Sequence, residues 1–219
     1  MITDYDIAML CAAAYSPAYV WDWWEDGPAH DDVAWGIKRV DDVTIIVFRG
    51  STQFIDWRRD LDTWAEPKVS HPQLGPIHDG FFAGMEDAWA RVQGHIKPGE
   101  PTMFAGHSLG AARANIMTGL AVVDGIAPAR KVLFGSPKSG FQQLADITSK
   151  VPGASYRNGN SVAHDPVTDV PYYVPPLLAY VHDRPLQTVC YPPTPGAELG
   201  IFAWHHIGLY VKALKGQTT

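Results

Sequence analysis

Apolar residues recur along this chain with two periods, and the period changes at short polar breaks. From 3 to 14, Ile7, Leu10, Cys11 and Ala14 share a face at helical spacing, with Thr3 where a cap belongs. The Trp- and Asp-rich stretch 21–32 reads as loop. Residues 33–40 alternate loosely and read as a strand, and Asp41-Asp42 marks a turn. Thr44 to Phe48 is a continuous β-branched and aromatic run, as in a strand covered on both faces. Helical spacing returns at 53–64 and at 79–96, where Phe81, Phe82, Met85, Ala88, Trp89, Val92 and Ile96 align and Lys97-Pro98-Gly99 ends the helix. A strand at 101–105, a helix at 109–123, a strand at 131–134, a helix at 139–149 and a strand at 155–158 follow. Residues 165–197 read as irregular, and a last helix is expected at about 204–215.

Strands that alternate with helices predict an α/β fold, with a mostly parallel central sheet flanked by helices on both faces. Hydrophobic residues are 46% and charged residues 18% of 219, which excludes wholesale disorder and provides for a core without disulfide staples. No linker divides the chain, so one domain over 1–219 is expected. The formal charge of −6 argues against nucleic acid as a partner, because phosphate binding needs clustered Lys and Arg. No apolar run approaches the ~18 residues of a membrane helix. The first residues, Met1 to Asp6, are acidic where a Sec signal is basic, so a cytoplasmic protein, or one exported without such a signal, is expected. Cys11 and Cys190 could pair, but with no secretory signal free buried thiols are expected, and nothing has zinc-ligand spacing.

The chemistry concentrates at Gly106-His107-Ser108-Leu109-Gly110, a G-x-S-x-G between an apolar strand and an amphipathic helix. A nucleophilic serine needs such a sharp strand-to-helix turn, and side chains two residues to either side would collide across it. The helix N-terminus that follows favours negative charge developing on a carbonyl oxygen. Composition alone gives roughly 0.07 chance matches to this pattern.

Seven segments stand in order over about 43–211: Ile46 to Ser51 (IVFRGS), Phe54 to Leu61 (FIDWRRDL), Ile77 to Phe81 (IHDGF), Gly106 to Gly110 (GHSLG), Val132 to Gly140 (VLFGSPKSG), Asp165 to Pro171 (DPVTDVP) and His205 to Tyr210 (HHIGLY). Together they resemble the class 3 (fungal-type) lipase family of α/β-hydrolases. Lys138 stands where the family usually has Arg. The resemblance implies a Ser-Asp-His triad and no metal or organic cofactor.

Ser108 comes first in the chain order this fold uses. Of the later aspartates, Asp124 and Asp146 fall in or beside helices. Asp165 follows a strand and takes the family's acid position, with Asp169 as the alternative. His205 and His206 are adjacent, so only one can reach Ser108; the spacing to Tyr210 favours His205 by resemblance, and His182 reads as a surface residue. The oxyanion donors expected are the Leu109 N–H and, by resemblance, Ser51. His107 is expected to pack beneath the turn at the edge of the substrate space, and His78 to be structural or to line the cleft. Phe54, Trp57, Leu61 and Trp64 form one apolar face, and the resemblance makes 53–64 a lid lining the substrate. Val170 to Tyr180 fits an acyl-pocket wall and a core-covering loop equally well.

These residues predict a serine carboxylic-ester hydrolase for a lipid or other apolar acyl ester. The alternatives are an esterase for small soluble or aromatic-acid esters, and a non-catalytic hydrolase-like binding protein. Contact with lipid interfaces would be transient at most, and the oligomeric state is not legible.

Overall fold

Strand registers set where the site forms, so the sheet comes first. The computed structural model describes residues 2–27, 33–51, 69–171, 179–196 and 200–216. The predicted lid at 53–64, with Phe54 and Trp57, lies outside the described residues, as do residues 172–178 of the proline- and tyrosine-rich stretch.

Among the described residues the central sheet holds β1 (Trp23–Glu25), β2 (Trp35–Val40), β3 (Val43–Phe48), β6 (Thr102–His107), β7 (Arg130–Phe134), β8 (Gly153–Asn158) and β9 (Gln187–Val189), in that spatial order. The pairs β1/β2 and β2/β3 are antiparallel, and the remaining pairs are parallel. A separate two-stranded ribbon pairs β4 (Val69–His71) with β5 (Gly75–Ile77).

Period-two alternation divides the strands between two cores. Ile46, Phe48, Phe104 and Leu133 face one side, against α2 (Asp79–Phe82), α3 (Met85–Val92), α4 (Leu109–Val123) and α5 (Gln142–Thr148). Ile45, Val47, Met103, Ala105, Val132 and Phe134 face the other, against α1 (Asp4–Ala13) and α6 (Ile207–Lys215). With both faces covered, every buried position contributes, which is why these strands read as unbroken apolar runs. Burying one side chain such as Phe48 is worth about 1.5–3 kcal/mol.

The registers bring three chain exits together. Phe48 pairs with Gly106, and His107 pairs with Phe134. The segments after β3, β6 and β7 therefore leave from one carboxyl edge of the sheet, where open parallel sheets place their sites.

Several elements differ from expectation. The 79–96 helix is two pieces, because Gly84 adopts φ +74° and caps α3, and a 3₁₀ turn (Gln93–His95) follows. Both pieces bury the same face, so the apolar spacing carries across the break. Residues 21–32 contain strand β1, where Trp21 and Trp24 lie on Gly36 with no room for a Cβ there. Residues 165–197 contain β9, a short edge strand in which Gln187 and Thr188 are exposed, so no alternation marks it. The last helix begins at Ile207, after a 3₁₀ segment (Gly200–His205). Both cysteines are free, but Cys190 is exposed, contrary to expectation. Cys11 is buried, which pushes its thiol pKa up.

At the far end of β7, Lys131 is fully buried. Its Nζ reaches Asp183 Oδ2 at 2.7 Å and Asn115 Oδ1 at 2.5 Å. Burial pushes the amine down to about 8, although Asp183 pulls the other way. No helix among the described residues is long and apolar enough to cross a membrane.

Candidate active site

Ser108 is the single residue between β6 and α4, with φ 62° and ψ −132°. A non-glycine residue held there stores of order 1–3 kcal/mol of strain. The neighbourhood enforces it. Ser108 N–H donates to Phe134 O at 3.0 Å, and Ser108 O accepts from Ala111 N–H at 2.9 Å. A Cβ on Gly106 would strike the Gly110 carbonyl, and one on Gly110 would strike the Phe48 carbonyl. The predicted collision is thus real, and β3 as well as the turn itself enforces it. Ser108 Oγ is buried and makes no hydrogen bond among the described residues.

Asp165 follows the end of β8, and its N–H donates to Asn158 O at 2.8 Å. It caps a 3₁₀ turn (Pro166–Asp169), with Oδ1 accepting from Val167 N–H at 2.9 Å. Oδ2 accepts from His205 Nδ1 at 2.7 Å and from Tyr210 Oη at 2.5 Å. Burial alone would push this carboxyl up, but His205, Tyr210 and Val167 together hold it below the ordinary aspartate range. Burial, helped by the same contact, pushes the Tyr210 hydroxyl up, so Tyr210 stays a donor. Because His205 Nδ1 donates to a carboxylate, its Nε2 carries the lone pair in the neutral ring.

His205 is buried at the end of its 3₁₀ segment, while its neighbour His206 is exposed and caps α6, with Nδ1 accepting from Gly208 N–H at 3.0 Å. The structure separates the two candidate bases by giving them different partners. It likewise separates the acids, because Asp169 pairs with His164 at 2.7 Å on the surface. His182 was expected at the surface; it is half-buried, with Nε2 donating to Thr168 O at 2.7 Å. His78 is buried and stacks on Phe81, with ring centroids 4.1 Å apart, a packing role. His107 packs beneath the turn, its ring 4.5 Å from that of His205.

Ser51, His107, Ser108 and His205 line one cavity of about 380 Å³, walled also by Ala12, Tyr15, Phe202 and Ile207. The Leu109 N–H opens α4, so no intrahelical carbonyl satisfies it. Among the described residues no cluster of three or more His, Cys, Asp or Glu is arranged for a metal ion.

Two features escaped sequence reasoning. Tyr210 donates to the Asp165 carboxylate, and its one signal was a fixed spacing after His205. Gly135 lies within the Val132 to Gly140 segment. It has φ +55°, and a Cβ there would lie 2.6 Å from Asp165 Oδ2 and 2.9 Å from His205 Cε1.

The fold has solved counterparts. A mono- and diacylglycerol lipase from Aspergillus oryzae superposes with a TM-score of 0.68 at 17% identity, over 94% of this chain and 96% of that one. The triacylglyceride lipase of Rhizomucor miehei superposes with a TM-score of 0.66 at 22% identity, over 85% of this chain and 78% of that one. At these identities the likeness is one of fold. In sequence, the chain is 28% identical over 142 residues to "Lipase ZK262.3" of Caenorhabditis elegans, which spans 59% of this chain but 40% of that relative. The family model for lipase (class 3) matches residues 45–174. The chain belongs to the class 3 lipase family. Ser51, Ser108, Leu109 and Asp165 lie within the matched residues, and His205 lies beyond them.

Proposed function

We propose that this chain is a serine carboxylic-ester hydrolase acting on apolar acyl esters. The observation that carries the reading is a buried imidazole, oriented by a buried carboxylate, sharing one cavity with a strained serine at a helix N-terminus.

In the reaction, Ser108 Oγ bonds to the ester carbonyl carbon while its proton moves to His205 Nε2. Asp165 stabilises the imidazolium that forms. The Leu109 N–H and Ser51 donate to the oxyanion. Collapse breaks the carbon–alkoxy bond, and the alcohol leaves with the proton from His205. Water then attacks the acyl-enzyme and gives its proton to Nε2. The acyl carbon–Oγ bond breaks, the acid departs, and Ser108 regains its proton.

The walls from Ala12, Phe202 and Ile207 suit a hydrocarbon acyl group, and the cavity volume falls within the usual range of small-ligand sites. The acylglycerol substrates in the names of the fungal structural relatives support the same class. The test is hydrolysis of p-nitrophenyl esters of rising acyl length, with and without an emulsion interface, by wild type and Ser108→Ala. The reading expects serine-dependent turnover that increases with acyl length. Turnover confined to the shortest soluble esters would support the small-ester alternative, and turnover retained by Ser108→Ala would refute the reading.

A further inference from the structure

Tyr15 follows α1, far in sequence from the nucleophile, yet it stands between two parts of the machinery. Its Oη packs against Gly50 and lies 3.0 Å from His107 Nδ1. His107 Nε2 lies 2.7 Å from the backbone oxygen of His205. Gly50 immediately precedes Ser51, His107 immediately precedes Ser108, and His205 is the base. Two side chains therefore connect the oxyanion loop, the nucleophile turn and the histidine loop.

Each link has one polarity. A carbonyl oxygen only accepts, so His107 Nε2 carries the hydrogen. Burial, reinforced by neighbouring His205, pushes the His107 pKa well below its ordinary value, so the ring is neutral and Nδ1 is a bare acceptor. Tyr15 must then donate to Nδ1, and burial, which raises its own pKa, keeps it protonated to do so. The order is Tyr15 O–H to His107 Nδ1 and His107 Nε2–H to His205 O, with Tyr15 Oη seated against Gly50. The fit is tight at both ends. A Cβ on Gly50 would strike Tyr15 Oη and lie 2.7 Å from His107 O, and the His107 ring also stacks on that of His205.

We propose that Tyr15 and His107 form a directional hydrogen-bonded strut that fixes the oxyanion loop relative to His205, making both of them positioning residues for transition-state stabilisation. The proposal rests on the ester-hydrolase reading above. Packing alone would need the shape of Tyr15; the strut also needs its hydroxyl. Tyr15→Phe keeps the ring and removes the link, leaving His107 Nδ1 without its partner. Ground-state carbonyls gain little from oxyanion donors, so the loss falls on kcat.

The experiment pairs kinetics with imidazole ¹⁵N NMR. Tyr15→Phe is expected to lower kcat by about 10- to 100-fold, less than deletion of a direct oxyanion donor, with KM within about threefold. Inactivation by a p-nitrophenyl phosphonate, which builds a tetrahedral adduct, should slow in proportion to kcat/KM. His107→Gln keeps a donor toward His205 O but loses the Nδ1 acceptor, and the double variant should be no slower than the worse single variant. In the wild type, His107 should be the neutral Nε2–H tautomer, which needs no variant to read. An Nδ1–H tautomer, full kcat in a folded Tyr15→Phe, or additive losses in the double variant would each overturn the strut. If the wild type hydrolyses esters and Ser108→Ala does not, any of these results removes the strut and leaves the ester-hydrolase reading standing.

Discussion

The segment that carries Ser108 and the segments that carry Asp165 and His205 reach the same cavity by different means. Ser108 is placed by backbone: two strands, a helix and two glycines leave the turn no other path. Asp165 and His205 sit on 3₁₀ segments and are placed by side-chain hydrogen bonds, with three donors, Val167 N–H, His205 Nδ1 and Tyr210 Oη, converging on one carboxylate. A position set by chain geometry tolerates loss of its own side chain. A position set by mutual hydrogen bonds loses its geometry when a partner is lost.

The largest contrast should come from the adjacent histidines. His205→Ala is expected to lower kcat by about 10⁴-fold or more, while His206→Ala stays within a few-fold and costs about 0.5–2 kcal/mol of stability as a lost cap. Steady-state rates and denaturant melts measure both, and equal rate losses would dissolve the distinction drawn here. Next come the partners of the carboxylate. Asp165→Asn should cost about 10³–10⁴ in kcat, because an amide cannot stabilise the imidazolium. Tyr210→Phe, which leaves the charge and removes one of its donors, should cost about tenfold. A Tyr210→Phe loss as deep as that of Asp165→Asn would mean that Tyr210 does more than hold the acid.

The smallest effect lies away from the site and concerns stability alone. Lys131 loses its proton near pH 8 in the folded chain, against 10.5 ordinarily. Between those values the unfolded chain holds more protons, so this group makes stability rise with pH across the window. Lys131→Met lacks that rise. Its stability relative to wild type should therefore fall from pH 8 to 10.5, with ester hydrolysis unchanged, as read by urea melts at several pH values. A difference that stays flat with pH would mean the buried amine is not destabilised.

What was legible in the sequence follows the same division. The nucleophile turn could be read because backbone geometry demands residue types, glycine at 106 and 110, at fixed positions. The strands that bury both faces could be read from their unbroken apolar runs. Asp165 and His205 needed the family resemblance, since nothing local separates them from Asp169 or His206; their partners do so in three dimensions. Tyr15 was invisible as a functional residue because its contact with His107 spans 92 positions. Strand β9 was missed because an exposed edge has no apolar period, and the break at Gly84 because one core face serves both helices.

The central claim is that Ser108 is the activated nucleophile. A fluorophosphonate probe followed by peptide mass spectrometry tests it most directly. One adduct on Ser108 is expected in the wild type, none in Ser108→Ala, and strongly slowed labelling in His205→Ala. Labelling elsewhere, or undiminished labelling of Ser108→Ala, would contradict it.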